Sequence, residues 1–370
     1  MSMILFLTRK YPPSIGGMQK QSFELTSAIK VLRESYVISW GKSQALLPWF
    51  LLTSFAKACW ILSTRKIEVI HLGDALLSPS GIILGKAFRK PVVATVHGKD
   101  VVFDFKPYQF LIRRSLKLLD KIICVSASTQ QRVVERGVPK RKTTVIPNGI
   151  DTAIQSFKHG RDNDTLPRTT LENAIGRKLH DRTLLLSVGR LVERKGVNHF
   201  VREVLPEIVS AKPDVVFLVA GDGPEQSAIE QSIRERELEK HVILLGCVEQ
   251  DMLSVLFRAA DIFVMPNIPV QGDMEGFGIV VLEACASGLP VIASDLEGIK
   301  DTIVHGENGF LVDAGNSEAL ISTIISLIDD PSCRKEMGRK ARDYVVLHFG
   351  WGGIANRYLE EFDSIAKAMY

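Results

Sequence analysis

Residues Glu275–Gly288 read EGFGIVVLEACASG, a glycine-rich turn running into a short apolar stretch. The apolar run Asp261–Pro266 (DIFVMP) precedes them and has the length of a buried strand. Met274–Gly278 sets two glycines around Phe277. Ile279–Ala286 then reads as a packed helix, stopped by Gly288, Leu289 and Pro290. A second apolar run, Val291–Ser294, follows. Strand, loop, helix and strand in that order make a unit of a parallel sheet.

Chemistry is expected at the start of that helix. Its unpaired N–H groups and its dipole both favour an anion. Gly276 and Gly278 have no side chains to keep a phosphate off the backbone. Glu275 has the wrong charge for a phosphate and suits hydroxyl groups. Glu283 lies two helical turns further on, about 12 Å at the helical rise. Carboxylates so spaced suit two polyols with a phosphate between them, as in a sugar nucleotide. Taken alone, two such glutamates are more readily a solvated loop residue and a surface helix residue. A basic motif upstream tips the balance. It is Gly189–Gly196, GRLVERKG, in which Arg190 and Lys195 can converge on a diphosphate as a planar fork and a mobile point charge.

These residues carry a resemblance. Glu275-x7-Glu283 is similar to the signature of the retaining glycosyltransferases of family four. Gly189-Arg190-Leu191 through Lys195-Gly196 resembles that family's diphosphate clamp. Thr95-Val96-His97-Gly98-Lys99-Asp100 resembles the segment whose histidine contacts the donor sugar. Tyr11–Gly17 looks like the N-terminal glycine loop, and Pro147–Asp151 (PNGID) like the end of the first domain. The resemblance implies an α/β protein of GT-B architecture: two Rossmann-like domains facing across a cleft, with a C-terminal helix crossing back to the first. The expected spans are 1–165 for the acceptor domain, 166–350 for the nucleotide-sugar domain and 351–370 for the returning helix. It implies catalytic roles for His97, Arg190, Lys195 and Glu275. Substrate contacts are implied for Gly16, Gly17, Asp100, Gly221, Val248, Gly276, Phe277, Gly278, Ile279 and Glu283. Neither a metal nor a cofactor is implied by it. Trp351 is expected to pack, and His305–Val312 to form a hairpin.

The expected reaction transfers a hexose from a nucleoside-diphosphate sugar, uridine before guanosine, with retention at the anomeric carbon. A lipid-linked saccharide of surface polysaccharide or glycolipid synthesis is the expected acceptor. Two rivals share the fold: a sugar-nucleotide epimerase and a non-catalytic sugar-nucleotide-binding subunit. A nucleic-acid-binding protein would account for basic charge, but not for Glu275 and Glu283.

Composition bounds the rest. The chain has 370 residues and five scattered cysteines without C-x-x-C spacing, which argues against a disulfide framework and for a reducing, cytoplasmic setting. It enters directly into the strand MILFLT, so no signal peptide is expected. The net charge of +4 hides a split: residues 1–150 hold 23 Lys and Arg against 8 Asp and Glu, or +15, and the remainder 23 against 34, or −11. Such a split turns the first half toward an anionic surface. The helix expected over Tyr108–Lys121 brings Arg113, Arg114, Lys117 and Lys121 together. Ala45–Leu62 is the most apolar stretch, yet Pro48 and Lys57 interrupt it. A buried helix is the favoured reading, and a helix in the bilayer interface the alternative.

Overall fold

The computed structural model describes residues 3–14, 16–42, 44–151 and 166–368. Six strands of the first half form a parallel sheet: β1 (Met3–Thr8), β2 (Ser35–Ser39), β3 (Ile67–Leu72), β4 (Val92–Val96), β5 (Lys121–Cys124) and β6 (Thr143–Val145). Their order is 2-1-3-4-5-6. The second sheet comprises β7 (Thr183–Val188), β8 (Val215–Ala220), β9 (Val242–Gly246), β10 (Ile262–Met265), β11 (Val291–Ser294) and β12 (Phe310–Val312), all parallel, in the order 12-11-10-7-8-9. The central strands are apolar runs because helices cover both faces; all six residues of β8 are buried. Each order reverses once, between β1 and β3 and between β7 and β10. In open parallel sheets ligands bind beyond the carboxyl ends of strands at such switch points.

By their contacts the described residues form two compact units, one from residues 3–151, 272–277 and 349–368, the other from 166–271 and 278–348. The sequence expectation kept 166–350 in one domain. Gly272–Phe277 groups with the first unit because Gly276 packs directly on the His97–Gly98 backbone: a Cβ there would sit 1.8 Å from the His97 carbonyl oxygen. The expected boundary at 165 lies outside the described residues.

In the first unit α1 (Gly17–Leu32) and the C-terminal helix Trp351–Ala368 cover one face of the sheet, with Leu25, Ile29, Tyr358 and Phe362 against Phe6 and Val69. Trp351 packs, as its sequence context suggested. Its indole Nε1 donates to Glu24 Oε2 at 2.7 Å, and Gly149 must be glycine because a Cβ would meet the indole at 2.5 Å. The other face is covered by α2 (Leu47–Thr64), α3 (Ser78–Phe88), α5 (Lys106–Leu118) and α6 (Ala127–Glu135). The short helix α4 (Lys99–Val102) precedes α5.

Three expectations are corrected. The apolar stretch is not a buried helix: α2 sinks Phe50, Ser54, Ala58, Ile61 and Leu62 and exposes its opposite side. The basic helix begins earlier and ends at Leu118. Lys121 stands on β5, where its ammonium pairs with Glu361 at 3.0 Å. Residues 305–312 form a turn leading into the parallel edge strand β12.

Candidate active site

In the first unit the candidate residues lie at the carboxyl ends of β1, β3 and β4. After β4 the chain turns at Gly98, in the left-handed region at φ 94°. Asp100 braces this turn: Oδ1 accepts from the His97 backbone N–H at 2.9 Å and Oδ2 from that of Ala75 at 3.2 Å. Burial raises the Asp100 pKa above the ordinary carboxylate value. Both oxygens serve the main chain, so Asp100 bears on the site by positioning His97. The His97 ring Nε2 donates to the Gly73 carbonyl at 3.0 Å, which fixes the ring's orientation. Gly16 and Gly17 open α1 after β1, with Gly16 at φ 146°. Ile15 of that loop lies outside the described residues. Glu275 is half-buried, and Gly276 and Phe277 are buried, on the segment that packs on His97 and Gly98. The glycine at 276 is thus demanded by the protein's own backbone.

Sequence reasoning missed the pair at the switch point. Arg9 Nε lies 2.8 Å from the fully buried Asp74 carboxylate, whose other oxygen caps the turn at Leu76. Burial, then the neighbouring Arg9, lowers the Lys10 pKa. Charged residues at strand ends are commonplace and these two lie far apart in sequence; only a fold assignment with its switch point between β1 and β3 could have singled them out. Behind them, burial pushes His71 down to about 3, and its Nε2 meets Thr95 Oγ1 at 2.9 Å.

In the second unit the loops after β7, β8 and β9 are zipped by their backbones. Leu191 N–H donates to Asp222 O at 2.7 Å, Gly221 N–H to Gly246 O at 2.7 Å and Glu225 N–H to Leu191 O at 3.0 Å. A Cβ on Gly221 would fall 2.0 Å from the Gly189 carbonyl oxygen, and one on Gly196 1.9 Å from that of Pro266. Only glycines allow such stacking. It holds the Arg190–Lys195 loop over the switch point between β7 and β10. Gly189, Leu191, Lys195, Met265 and Asn267 line a pocket there. Arg190 is exposed, Lys195 half-buried, and the Lys195 stem passes over Gly189. Val248 is half-buried just beyond β9. Gly278, at φ 84°, caps the Ile279–Ala286 helix beside Met265. Glu283 is buried on that helix and is no surface residue.

The structure therefore brings Arg190, Lys195, Gly221, Val248, Gly278, Ile279 and Glu283 onto one unit, and Gly16, Gly17, His97, Asp100, Glu275, Gly276 and Phe277 onto the other. Among the described residues no group of three or more His, Cys, Asp or Glu side chains could hold a metal ion.

Known proteins match both units. The family described as Glycosyltransferase Family 4 matches residues 17–154, and that described as Glycosyl transferases group 1 matches residues 169–344. A GDP-mannose-dependent monoacylated alpha-(1-6)-phosphatidylinositol monomannoside mannosyltransferase from Corynebacterium glutamicum is 29% identical, with 94% of each chain covered. The GDP-mannose-dependent alpha-(1-6)-phosphatidylinositol monomannoside mannosyltransferase of Mycolicibacterium smegmatis is 27% identical over 94% of this chain and 95% of its own. Among solved structures, Anabaena HepE in complex with UDP and glucose superposes with a TM-score of 0.78 at 21% identity, covering 98% of this chain and all of its own. That likeness fixes the architecture as GT-B, with two Rossmann-like domains.

Proposed function

We propose a specific reaction for this chain, which belongs to the family-four glycosyltransferases: retaining transfer of a hexose from a nucleoside-diphosphate sugar to a lipid-linked acceptor. The observation that carries it is the Arg190–Lys195 loop, held by stacked glycines beside a pocket on the nucleotide-sugar unit. Arg190 and Lys195 stabilise the charge building on the leaving diphosphate, with the amides that open the Ile279–Ala286 helix. Preorganised groups of this kind are worth roughly 10²–10³ each in rate. Glu275 holds donor-sugar hydroxyls and Glu283 the ribose hydroxyls, while His97, aimed by Asp100 and Gly73, contacts the sugar. The acceptor attacks from the face the diphosphate leaves, and the departing phosphate takes its proton. No metal and no cofactor takes part.

Two bases are open: uridine, expected from the family resemblance, and guanosine, on which the two mannosyltransferase relatives depend by name. The relatives align along nearly the whole chain, so we put guanosine first. Thermal shift with GDP, UDP and ADP tests the order. GDP should raise the melting temperature most; a larger shift with UDP would reverse it, and no shift with any would remove the donor site.

No helix among the described residues is long and apolar enough to cross a membrane. The chain works in the cytoplasm, and its basic first half, +15 over residues 1–150, draws it to the anionic inner face of the cytoplasmic membrane, where the acceptor resides.

A further inference from the structure

The outer helices of the first unit are unusual in charge. α2, α3 and α5 carry Lys57, Lys86, Lys106, Arg113, Arg114 and Lys117, and no Asp or Glu. By contrast α1 and the C-terminal helix, on the opposite face, mix both signs. The same three helices expose large apolar side chains. On α2, Trp49, Leu52 and Trp60 are 63%, 69% and 63% exposed and recur at helical spacing on the side facing away from the sheet. On α5, Phe110 is 60% exposed, with the Arg114 guanidinium 4.0 Å from its ring centroid. A soluble surface rarely gathers tryptophans outward in a row. Tryptophan with lysine and arginine is the composition of a surface that lies in a bilayer interface.

We propose that the α2–α3–α5 face docks on the anionic leaflet of a lipid bilayer, with Trp49, Leu52 and Trp60 in the interface and the six cations over the headgroups. This deepens the membrane location proposed above, and rests on it, by assigning the surface. It also assigns a route for the acceptor. Phe103 and Phe105, 47% and 55% exposed, stand between α4 and α5 and continue this surface to the loop carrying His97. The segment is braced: Gln109 Nε2 donates to Val101 O at 2.9 Å and Phe103 O at 2.7 Å, and the Tyr108 hydroxyl donates to Asp100 O at 2.5 Å. A lipid acceptor reaches His97 along Phe105 and Phe103 while its tails stay in the bilayer.

Full-length protein is mixed with vesicles of phosphatidylcholine alone or with phosphatidylglycerol, and binding is followed by co-sedimentation. Wild type should bind the anionic vesicles, and the Trp49→Ser/Trp60→Ser and Arg113→Glu/Arg114→Glu variants should each bind about tenfold more weakly or worse. Brominated lipid should quench wild-type tryptophan fluorescence far more than that of Trp49→Ser/Trp60→Ser, in which Trp40 and Trp351 remain. Calorimetry should show nucleoside-diphosphate affinity unchanged in both variants, which establishes that they fold. Vesicle binding that both variants retain would overturn the assigned face and leave the membrane location standing. Failure of wild type to bind either vesicle would overturn both. A wild-type dimer that the tryptophan variant dissolves, without vesicle binding, would make the face an interface between copies and overturn the proposal.

Discussion

The two units are built on the same plan and charged in opposite ways. Each is a six-stranded parallel sheet with a single reversal of strand order. Counted by unit, residues 1–151, 272–277 and 349–370 hold 25 Lys and Arg against 14 Asp and Glu, or +11, and the remainder 21 against 28, or −7. Yet at the switch points the signs invert. The cationic unit gathers the buried carboxylates of Asp74 and Asp100 around His97, with Arg9 paired to Asp74. The anionic unit presents Arg190 and Lys195. The net charge of a unit therefore describes its outer helices, and its site has to be read from its loops. In the first unit those helices are α2, α3 and α5, all cationic.

The contrast between the two units depends most on the second unit's cations. If these cations face the leaving diphosphate as proposed, Lys195→Ala and Arg190→Ala should each lower kcat at saturating donor by at least about tenfold, toward 10²–10³, because each removes a cation that offsets its charge. Near-normal rates in both variants would detach these cations from the chemistry.

Glu283 sharpens it, as a buried acid on the unit whose site is cationic. Glu283→Gln should weaken binding of the bare nucleoside diphosphate by roughly 1.5–3 kcal/mol, the worth of hydrogen bonds to a charged acceptor. Glu275→Ala should instead weaken the sugar nucleotide more than the diphosphate. Calorimetry measures both. Equal affinities for wild type and Glu283→Gln would give Glu283 a purely structural role.

A further effect is on acid stability. His71 is pushed down to about 3 in the fold, mainly by burial. An unfolded histidine titrates near 6.5, so below that pH the unfolded chain takes up a proton that the fold refuses. Stability is then lost as pH falls from about 6.5 toward 3, and about 2 kcal/mol of it is gone by pH 5. Thermal unfolding at pH 7.5 and pH 5 should show a larger drop for wild type than for His71→Gln. The same drop in both would assign the acid sensitivity elsewhere.

Much of this was legible in the sequence. β1, β10, β11 and the Ile279–Ala286 helix stand where apolar runs and glycine stops place them, because burial on both faces of a parallel sheet leaves continuous apolar strands. The orientation of α2 was not legible. A helix apolar all round gives no periodicity to say which side is buried, so Phe50 and Trp49 look alike until the sheet is in place. Arg9 and Asp74 were hidden for a different reason, since their pairing depends on adjacent strands far apart in sequence. Gly276 was picked out for another reason: a phosphate's approach was expected to require it, and in the structure the close passage of the His97 carbonyl does.

A transfer that uses the second unit's cations on a donor and delivers the sugar to a lipid is tested by incubating the protein with radiolabelled GDP-mannose and UDP-hexoses and a membrane lipid extract, then partitioning the products into organic solvent. Label should appear in a lipid product with the donor's anomeric configuration retained, and Lys195→Ala should nearly abolish it. Label that remains in water as free or epimerised sugar, or an inverted linkage in the lipid product, would contradict the account.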